Sequence, residues 1–306
     1  MLKLDEKKIR KGKPVGLPYV GSKKKISKKI VEIIKQNFGT DKTVYDLFGG
    51  GGAITAELMI NGMDVVYNDL DKTITDMFNR VLSQDREWIK TLIVSRDEFF
   101  RILAKDTKTV DDELKLLVNS FGSNRKNYIY GKGLSKIKYD IMVEIIKKYD
   151  VFGGYSKTET FIQKVSSDED TFKRLRNDRG EKVIHPLQQA SRLEQIERIQ
   201  NTKKIKIPKT LNKDYSYFSD IKDSILYLDP PYENSHTSIY KSQIDHQEFY
   251  DWAYEISKNN IVLLSSYEVS DDRFECVYEF KTARSTMVGG NSGKRTEKLF
   301  MIKESD

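Results

Sequence analysis

The first third of the chain alternates helix-like and strand-like patterns of apolar residues. The segment SKKKISKKIVEIIKQNF at 22–38 repeats isoleucine at helical spacing and predicts an amphipathic helix, with Ser22 as its cap and Gly39 as its stop. The run TVYDLF then predicts a short strand, the glycines at 49–52 a turn, AITAELMING a second helix, and DVVYND a second strand. A strand, a glycine turn, a helix and a strand in that order form a βαβ unit, which predicts a parallel sheet.

The middle of the chain follows a different pattern. Between residues 71 and 121, apolar residues recur at spacings of three and four, which predicts helices at DKTITDMFNRVLS, REWIKTLIV, RDEFFRILA and DDELKLLVNSF. Residues 122–185 are rich in Lys, Arg, Asn, Gly and Tyr and keep no sustained period. This region therefore interrupts the α/β alternation.

Alternation of helices and strands resumes after Pro186. LQQASRLEQIERIQ predicts a helix, SILYLDPPY a buried strand, DHQEFYDWAYEISK a helix, NIVLLSSY a strand, and FECVYEFK with EKLFMIK two closing strands. We therefore predict an α/β domain formed by residues 1–70 and 186–306, with a mostly helical and irregular domain inserted at 71–185.

The composition is mildly basic and offers little for a metal or disulfide site. Lys and Arg outnumber Asp and Glu by 53 to 46 in 306 residues, which favours a polyanionic partner. The single cysteine, Cys276, excludes an internal disulfide, and the three histidines have no Cys or His neighbours at ligand spacing, so we expect no metal. A single cysteine also fits a reducing cytoplasm, where we expect the protein to be, and because no long apolar run is present we expect no membrane span.

A glycine-rich turn, DLFGGGG at 46–52, follows the first predicted strand. Such a turn lets the backbone approach a ligand, but it is equally compatible with simple topology, and neither a clean G-x-G-x-x-G spacing nor a P-loop is present. Asp69 stands about twenty residues later, where a carboxylate can accept hydrogen bonds from ribose hydroxyls. Alternatively, Asp69 or Asp71 caps the next helix.

The most specific motif is Asp229-Pro230-Pro231-Tyr232, which directly follows the apolar run ILYL. Two prolines cannot continue a ladder of hydrogen bonds, and they fix a rigid turn at the carboxyl end of a strand, where open α/β sheets bind ligands. We therefore expect Asp229 and the ring of Tyr232 at the mouth of a site.

With these motifs the chain resembles the amino-methyltransferases that carry the signature Asp/Asn-Pro-Pro-Tyr/Phe/Trp, and most of all the Dam-like DNA adenine N6-methyltransferases of bacteria and phages. The resemblance includes Tyr19-Val20-Gly21-Ser22-Lys23, Asp214-Tyr215 and FYDWA at 249–253, and it extends to the order of the motifs along the chain. It implies a Rossmann-like S-adenosylmethionine-dependent methyltransferase fold with a DNA-recognition domain inserted at 71–185.

The same resemblance implies the residues of the active site. The adenine amine is a poor nucleophile, so Asp229 and the Pro230 carbonyl are expected to hold its hydrogens, Pro231 to keep the turn rigid, and Tyr232 to stack on the flipped base. The residues expected to contact S-adenosylmethionine are Tyr19, Lys23, Asp46, Phe48, Gly49, Gly51, Asp69, Asp214, Tyr215 and Asp229.

Basic, amide and aromatic side chains are mixed at 123–138, a composition that suits contact with double-stranded DNA, although a solvated lysine-rich loop would look similar. The predicted DNA contacts are Asn124, Arg125, Lys126, Asn127, Tyr128 and Lys132, together with Asn291, Lys294 and Arg295 in a second loop. The family often carries Asn-Gly-Leu-Cys-Arg where this chain has Tyr-Gly-Lys-Gly-Leu-Ser-Lys, so the target sequence stays open.

Two other functions remain open. An amino-methyltransferase acting on RNA or on a protein glutamine would share the short catalytic motif, and a catalytically inactive relative could still bind DNA. Methylation of a cytosine ring carbon is disfavoured because it requires a cysteine nucleophile, and Cys276 lies in an alternating, strand-like run. We expect a monomer, and the sequence leaves open whether a cognate restriction endonuclease is a partner.

Overall fold

The computed structural model describes residues 1–19, 21–150, 152, 158–167, 188–233, 244–280 and 296–303. In chain order, the helices and strands are α1 (Ser27–Phe38), β1 (Val44–Asp46), α2 (Ala53–Ile60), β2 (Val65–Asn68), α3 (Lys72–Ser83), α4 (Arg86–Lys90), α5 (Arg96–Leu103), α6 (Val110–Asn119), α7 (Lys132–Glu144), α8 (Glu159–Ser167), α9 (Gln188–Thr202), β3 (Lys209–Leu211), β4 (Ile225–Leu228), α10 (His246–Ser257), β5 (Ile261–Ser266), β6 (Phe274–Glu279) and β7 (Lys298–Ile302).

Within the described residues, the strands form one seven-stranded sheet in the order β3-β2-β1-β4-β5-β7-β6. The first five strands in this order are parallel, whereas β7 runs antiparallel to both β5 and β6. Every residue of β2 and β4 is buried, as expected for parallel strands that are covered on both faces. The predicted α/β, Rossmann-like fold is therefore confirmed, and the carboxyl ends of β2, β1 and β4 lie side by side.

A cluster of apolar side chains covers one face of this sheet. Leu226 and Leu228 of β4 are two residues apart and point to the same face, where Phe249 of α10 is also buried. Leu264 of β5 and Phe300 of β7 extend the cluster across the sheet. The buried face of α10 thus helps to fix the carboxyl end of β4, the point from which the proline-rich turn departs.

The chain divides into two compact units, which we describe separately. The first comprises Met1–Gly16, Ser22–Thr75 and Thr202–Asp306 and contains the sheet, and the second comprises Leu17–Gly21 and Asp76–Asn201. The insertion predicted at 71–185 ends before α9, most of which belongs to the second unit. The reason lies in Arg192 of α9, which is buried and donates hydrogen bonds to main-chain carbonyls at the end of α6.

Several helix and strand boundaries differ from those predicted. α1 begins at Ser27, not after Ser22, because the single 3₁₀ turn Lys23–Lys25 precedes it and Ser22 makes no side-chain cap bond. Gly39 ends α1 as predicted, with a positive φ of 82°. The sequence pattern did not predict α7 or the edge strand β3, since α7 has little contrast between its faces and β3 is only three residues long and largely unburied.

None of the described helices is both long enough and apolar enough to cross a membrane.

Candidate functional site

Three carboxylates lie at the ends of three neighbouring parallel strands. Asp46 is the last residue of β1, Asp69 directly follows β2, and Asp229 directly follows β4. Asp46 pairs with Tyr67 of β2 on one side and Tyr227 of β4 on the other, so the three chain ends are in register. The strand order reverses at β1 and β4, and this is the position where open α/β sheets bind their ligands.

The glycine turn after β1 is held by β2. The Gly49 amide donates to the Asn68 carbonyl at 2.9 Å, and the Tyr67 hydroxyl donates to the Gly50 carbonyl at 2.6 Å. A Cβ atom on Gly49 would lie 2.4 Å from the Tyr67 ring, so packing alone requires glycine there. Gly50 and Gly52 adopt positive φ values of 46° and 68°, which favour glycine for a different reason. Gly51, the other predicted cofactor residue of the turn, is buried.

The sequence left open whether Asp69 or Asp71 caps the helix that follows β2, and the structure gives the two residues different contacts. Asp71 caps α3, because its carboxylate accepts a hydrogen bond from the Thr73 amide at 3.1 Å. Asp69 instead accepts from the Gly50 amide and from the Asp71 amide, both at 2.8 Å. Its carboxylate therefore joins the end of β2 to the glycine turn.

Asp46 is a buried carboxylate, and only one of its two oxygens accepts hydrogen bonds from the described residues. Its Oδ2 accepts from the Thr55 amide at 3.1 Å and from the Thr55 hydroxyl at 2.6 Å. Among the described residues, its Oδ1 is buried and has no hydrogen-bond partner. The pKa of Asp46 is raised to about 7, chiefly by burial; the hydrogen bonds from Thr55 oppose this rise, and the charges of Asp229 and Asp69 add to it.

Phe48 and Tyr215 are brought together at this edge of the sheet. Their ring centroids are 6.4 Å apart, and both rings pack against Phe249, at 5.8 and 5.2 Å. Asp214 is exposed, and its carboxylate caps the single 3₁₀ turn Tyr215–Phe218 by accepting from the Ser216 amide. The structure thus gives Asp214 a local role in holding Tyr215.

The catalytic motif predicted at 229–232 is paired with Lys23. Lys23 Nζ lies 2.7 Å from Asp229 Oδ1, donates to the Tyr232 hydroxyl oxygen at 2.5 Å, and stands 4.9 Å from the centre of the Tyr232 ring. The pKa of Asp229 is raised to about 6, chiefly by burial; the Glu297 carboxylate adds to this rise, and the Lys23 ammonium opposes it. The structure therefore brings Lys23, Asp229 and Tyr232 into one cluster.

Glu297 completes this cluster and was missed by sequence reasoning. Its Oε1 accepts hydrogen bonds from the Tyr232 hydroxyl at 2.5 Å and from the Ser265 hydroxyl at 2.9 Å, and it lies 3.5 Å from Lys23 Nζ. Burial and the nearby carboxylates raise the pKa of Tyr232 well above its ordinary value, so the phenol keeps its proton. One sequence signal was available: Glu297 is two residues before the buried Leu299, which places it on the same face of the run EKLFMI.

In the second unit, the predicted DNA-contact residues separate into exposed and buried ones. Lys126, Asn127 and Lys132 are exposed, and the Asn124 side chain accepts hydrogen bonds from the amides of Lys126 and Asn127. Arg125 pairs with Glu113 at 2.9 Å.

Tyr128 does not fit the same expectation. It is only 5% exposed, its ring packs edge-on against Phe99, and its hydroxyl donates to the Val94 carbonyl. We therefore assign this ring to packing of the second unit and keep the proposed DNA contact for the exposed side chains.

Phe121, at the start of this loop, was not predicted as a functional residue. It is 63% exposed, and Gly122, Ser123 and Arg125, which follow it closely, adopt positive φ values of 57–59°. Arg192 supports the loop by donating to the Ser120 carbonyl at 2.6 Å. Burial lowers the pKa of Arg192 to about 10, which still leaves the guanidinium charged at neutral pH.

Three predicted DNA contacts, Asn291, Lys294 and Arg295, lie outside the described residues. Tyr19, a predicted cofactor residue, belongs to the second unit. Within the described part of the chain, no group of three or more His, Cys, Asp or Glu side chains is arranged to hold a metal ion.

Comparison with solved structures finds similar chains at low identity. The rRNA methyltransferase aviRa from Streptomyces viridochromogenes matches with a TM-score of 0.38 and 11% identity over 98% of this chain and 93% of that chain. An Escherichia coli protein, yhhF, provisionally described as a methyltransferase, matches with a TM-score of 0.36 and 8% identity over 94% and 92%. A comparison with curated proteins finds no match.

A protein-family comparison gives a match over most of the sequence. The model of the D12 class N6 adenine-specific DNA methyltransferases covers residues 19–279, which include the glycine turn, Asp69 and the whole Asp229-Pro230-Pro231-Tyr232 motif. The chain therefore belongs to the D12 class of N6 adenine-specific DNA methyltransferases.

Proposed function

We propose that this methyltransferase transfers a methyl group from S-adenosylmethionine to the exocyclic amine of an adenine in duplex DNA. The observation that carries the proposal is the position of Asp229: a largely buried carboxylate on a rigid Pro-Pro turn, at the carboxyl end of a central parallel strand, paired with Lys23 at 2.7 Å. The family match supports the same function.

The residues at the strand ends fit S-adenosylmethionine. Its sulfonium and ammonium groups are cationic, and Asp46, Asp69 and Asp229 supply negative charge close enough for two of them to raise the pKa of the third. The buried Oδ1 of Asp46, which has no partner among the described residues, is a place for a donor group of the ligand. A phosphate-bearing cofactor would be repelled by the same carboxylates.

We assign the cofactor's other parts by shape and polarity. The rings of Phe48 and Tyr215 offer an apolar surface for its adenine, and Asp69 lies beside the glycine turn, where it can accept from ribose hydroxyls. The glycines at 49–52 have no side chains, so the cofactor can approach the backbone of this turn closely.

The catalytic step needs acceptors for the hydrogens of the adenine amine. When bound, S-adenosylmethionine would supply an electrophilic methyl group: the amine nitrogen forms the new bond to carbon, sulfur keeps the electrons of the broken bond, and the amine proton is released to water. Asp229 and the Pro230 carbonyl accept the amine hydrogens, which directs the nitrogen lone pair toward the methyl carbon. The two prolines hold both acceptors in place, so little reorganisation is needed during the reaction.

Only the ionised carboxylate of Asp229 can accept hydrogen bonds from both the Lys23 ammonium and the adenine amine. Its pKa of about 6 leaves it ionised at neutral pH and protonated under mildly acidic conditions. Lys23 lowers this pKa and thereby keeps the acceptor ionised. Tyr232 offers its ring as a stacking surface for an adenine that has left the duplex.

DNA contact is assigned to the second unit. Lys126 and Lys132 are exposed cations that can neutralise phosphates, and Asn127 is an exposed amide that can read a base edge. The exposed ring of Phe121 at the same loop is suited to stack on bases.

The test is transfer of labelled methyl from S-adenosylmethionine to mixed-sequence duplex DNA, followed by nucleoside analysis. We expect N6-methyladenine with the wild type, a loss of at least about a hundredfold for Asp229→Ala, and normal transfer for the exposed control Asp272→Ala. Methyl on the cytosine amine would change the base, and transfer only to RNA or protein would reject the DNA substrate.

A further inference from the structure

Among the described residues, Glu297, Lys23 and Asp229 each lie within reach of the Tyr232 hydroxyl. It is 2.5 Å from Glu297 Oε1, 2.5 Å from Lys23 Nζ and 3.3 Å from Asp229 Oδ1. The hydroxyl has a single proton and the ammonium can only donate, so the proton goes to the nearer carboxylate, Glu297. Asp229 is then left as the acceptor for Lys23 and not for Tyr232.

Glu297 itself is held by two rigid elements. Its carbonyl accepts a hydrogen bond from the Phe280 amide at 2.9 Å, which continues the β6–β7 ladder by one residue. Its Oε1 accepts from Ser265, a fully buried residue of β5. The carboxylate is 6% exposed, so its position is fixed by the sheet and not by solvent.

Without Glu297, the cluster would rearrange. Tyr232 would lose its nearest acceptor, and the hydroxyl would be free to donate to Asp229, 3.3 Å away. That bond would place a second donor on Oδ1, which already lies 2.7 Å from Lys23 Nζ, so Asp229 would become a weaker acceptor for the amine. The Tyr232 ring would also have to turn to bring its hydroxyl closer to Asp229.

We propose that Glu297 is a positioning residue, which holds the Tyr232 hydroxyl and the Lys23 ammonium so that Asp229 stays available to the amine and the Tyr232 ring keeps its stacking orientation. This inference rests on the proposed function. It extends the active site to the residue that directly precedes β7, far from the Asp-Pro-Pro-Tyr motif in the sequence, and identifies Ser265 as the residue that supports Glu297.

The first experiment measures the bond without any methyl acceptor. Chemical unfolding of Glu297→Ala, Tyr232→Phe and the double variant forms a double-mutant cycle. We expect the double variant to lose less stability than the sum of the two single losses, because both single variants break the same hydrogen bond. Additive losses would overturn the inference, whether or not the protein methylates DNA.

The second experiment separates the effect of the Glu297 hydrogen bonds from the effect of its negative charge. The readout is methyl transfer to mixed-sequence duplex DNA. Glu297→Gln keeps an oxygen that can accept from Tyr232 and Ser265, whereas Glu297→Ala removes it. We expect Glu297→Ala to lower kcat by about tenfold to a hundredfold, with little change in the KM for DNA. Glu297→Gln should recover most of this loss.

The pH profile of the Gln variant provides a readout that a merely structural role would not move. Glu297 raises the pKa of Asp229, so removal of its charge should shift the acidic limb of kcat to lower pH. Glu275→Gln, an exposed Glu on β6, is the matched control and should leave both kcat and the limb unchanged.

The outcomes distinguish this inference from the proposed function. If the wild type transfers no methyl to DNA, the proposed function fails, and the unfolding cycle alone decides whether Glu297 holds Tyr232. If the cycle shows coupling but Glu297→Ala keeps full kcat, the bond is structural and the positioning role is wrong.

Discussion

Nζ of Lys23 lies 2.7 Å from Oδ1 of Asp229, although the two residues are 206 positions apart in the sequence. Lys23 belongs to a single 3₁₀ turn before α1, and Asp229 to the turn after β4. Both side chains are largely buried, at 12% and 14% exposure, so their attraction is weakly screened by solvent. The pair joins the first motif of the chain to the catalytic one and sets the charge state of the proposed acceptor.

Removal of Lys23 should shift the pH dependence of methyl transfer. The ammonium lowers the pKa of Asp229, so Lys23→Met should raise that pKa above about 6 and move the acidic limb of kcat to higher pH. This shift is opposite in sign to the one expected for Glu297→Gln. Lys25→Met, an exposed lysine of the same turn, is the control. An acidic limb that stays in place in Lys23→Met would show that Asp229 is not the group that titrates.

Asp46→Asn should stabilise the protein at high pH. Burial raises the pKa of Asp46 from 3.8 to about 7, so the folded state binds the proton more tightly than the unfolded state. Stability from this group is therefore present at low pH and is lost as the pH rises toward 7 and above. Asparagine can still accept from Thr55 and carries no charge, so we expect a gain in the free energy of unfolding of ~2 kcal/mol near pH 8.

The same substitution should have little effect near pH 4, where Asp46 is protonated in the folded state. Urea unfolding at the two pH values measures the difference, with the exposed Asp272→Asn as the control. An equal effect at both pH values would mean that Asp46 is not ionised at neutral pH or is not penalised by burial. A simultaneous loss of affinity for S-adenosylmethionine would support its assignment to the cofactor site.

Gly49→Ala should destabilise the protein even in the absence of cofactor. The new Cβ would lie 2.4 Å from the ring of Tyr67, a fully buried side chain whose hydroxyl is bonded to Gly50. We expect a loss of ~1–3 kcal/mol in the free energy of unfolding, the usual range for overpacking a core. Gly131→Ala, where a Cβ meets nothing within 4 Å, should change it by less than ~0.5 kcal/mol. If the two variants were equally stable, the glycine would be required by the ligand and not by Tyr67.

Lys126→Glu should weaken DNA binding and flatten its dependence on salt. Lys126 is exposed on the loop of the second unit, and each lost phosphate contact reduces the slope of log K against log salt by about 0.9. Binding of a mixed-sequence duplex across a salt series measures both effects. Lys204→Glu changes the net charge by the same amount at an exposed position outside that loop. If both variants lost the same DNA affinity, the effect would come from the overall charge and not from a contact made by Lys126.

The sequence by itself determined the order of elements in the sheet-forming part of the chain and the main catalytic motif. Alternating apolar runs and glycine turns specified the βαβ unit, because the burial of each strand requires a local pattern that can be read directly. Asp-Pro-Pro-Tyr was recognisable for a similar reason: its residues are consecutive, and proline restricts the backbone wherever it occurs.

Only the tertiary structure decided which distant residues share the site and which aromatic residues are buried. Glu297 reaches both Ser265 and Tyr232 because β7 pairs antiparallel with β5, and the local sequence of neither strand predicts that pairing. Tyr128 lies in a basic segment that suggests exposure, yet its ring is buried against Phe99. Local patterns fix the backbone of each element, whereas contacts between elements depend on strand order and packing, which arise only when the whole chain folds.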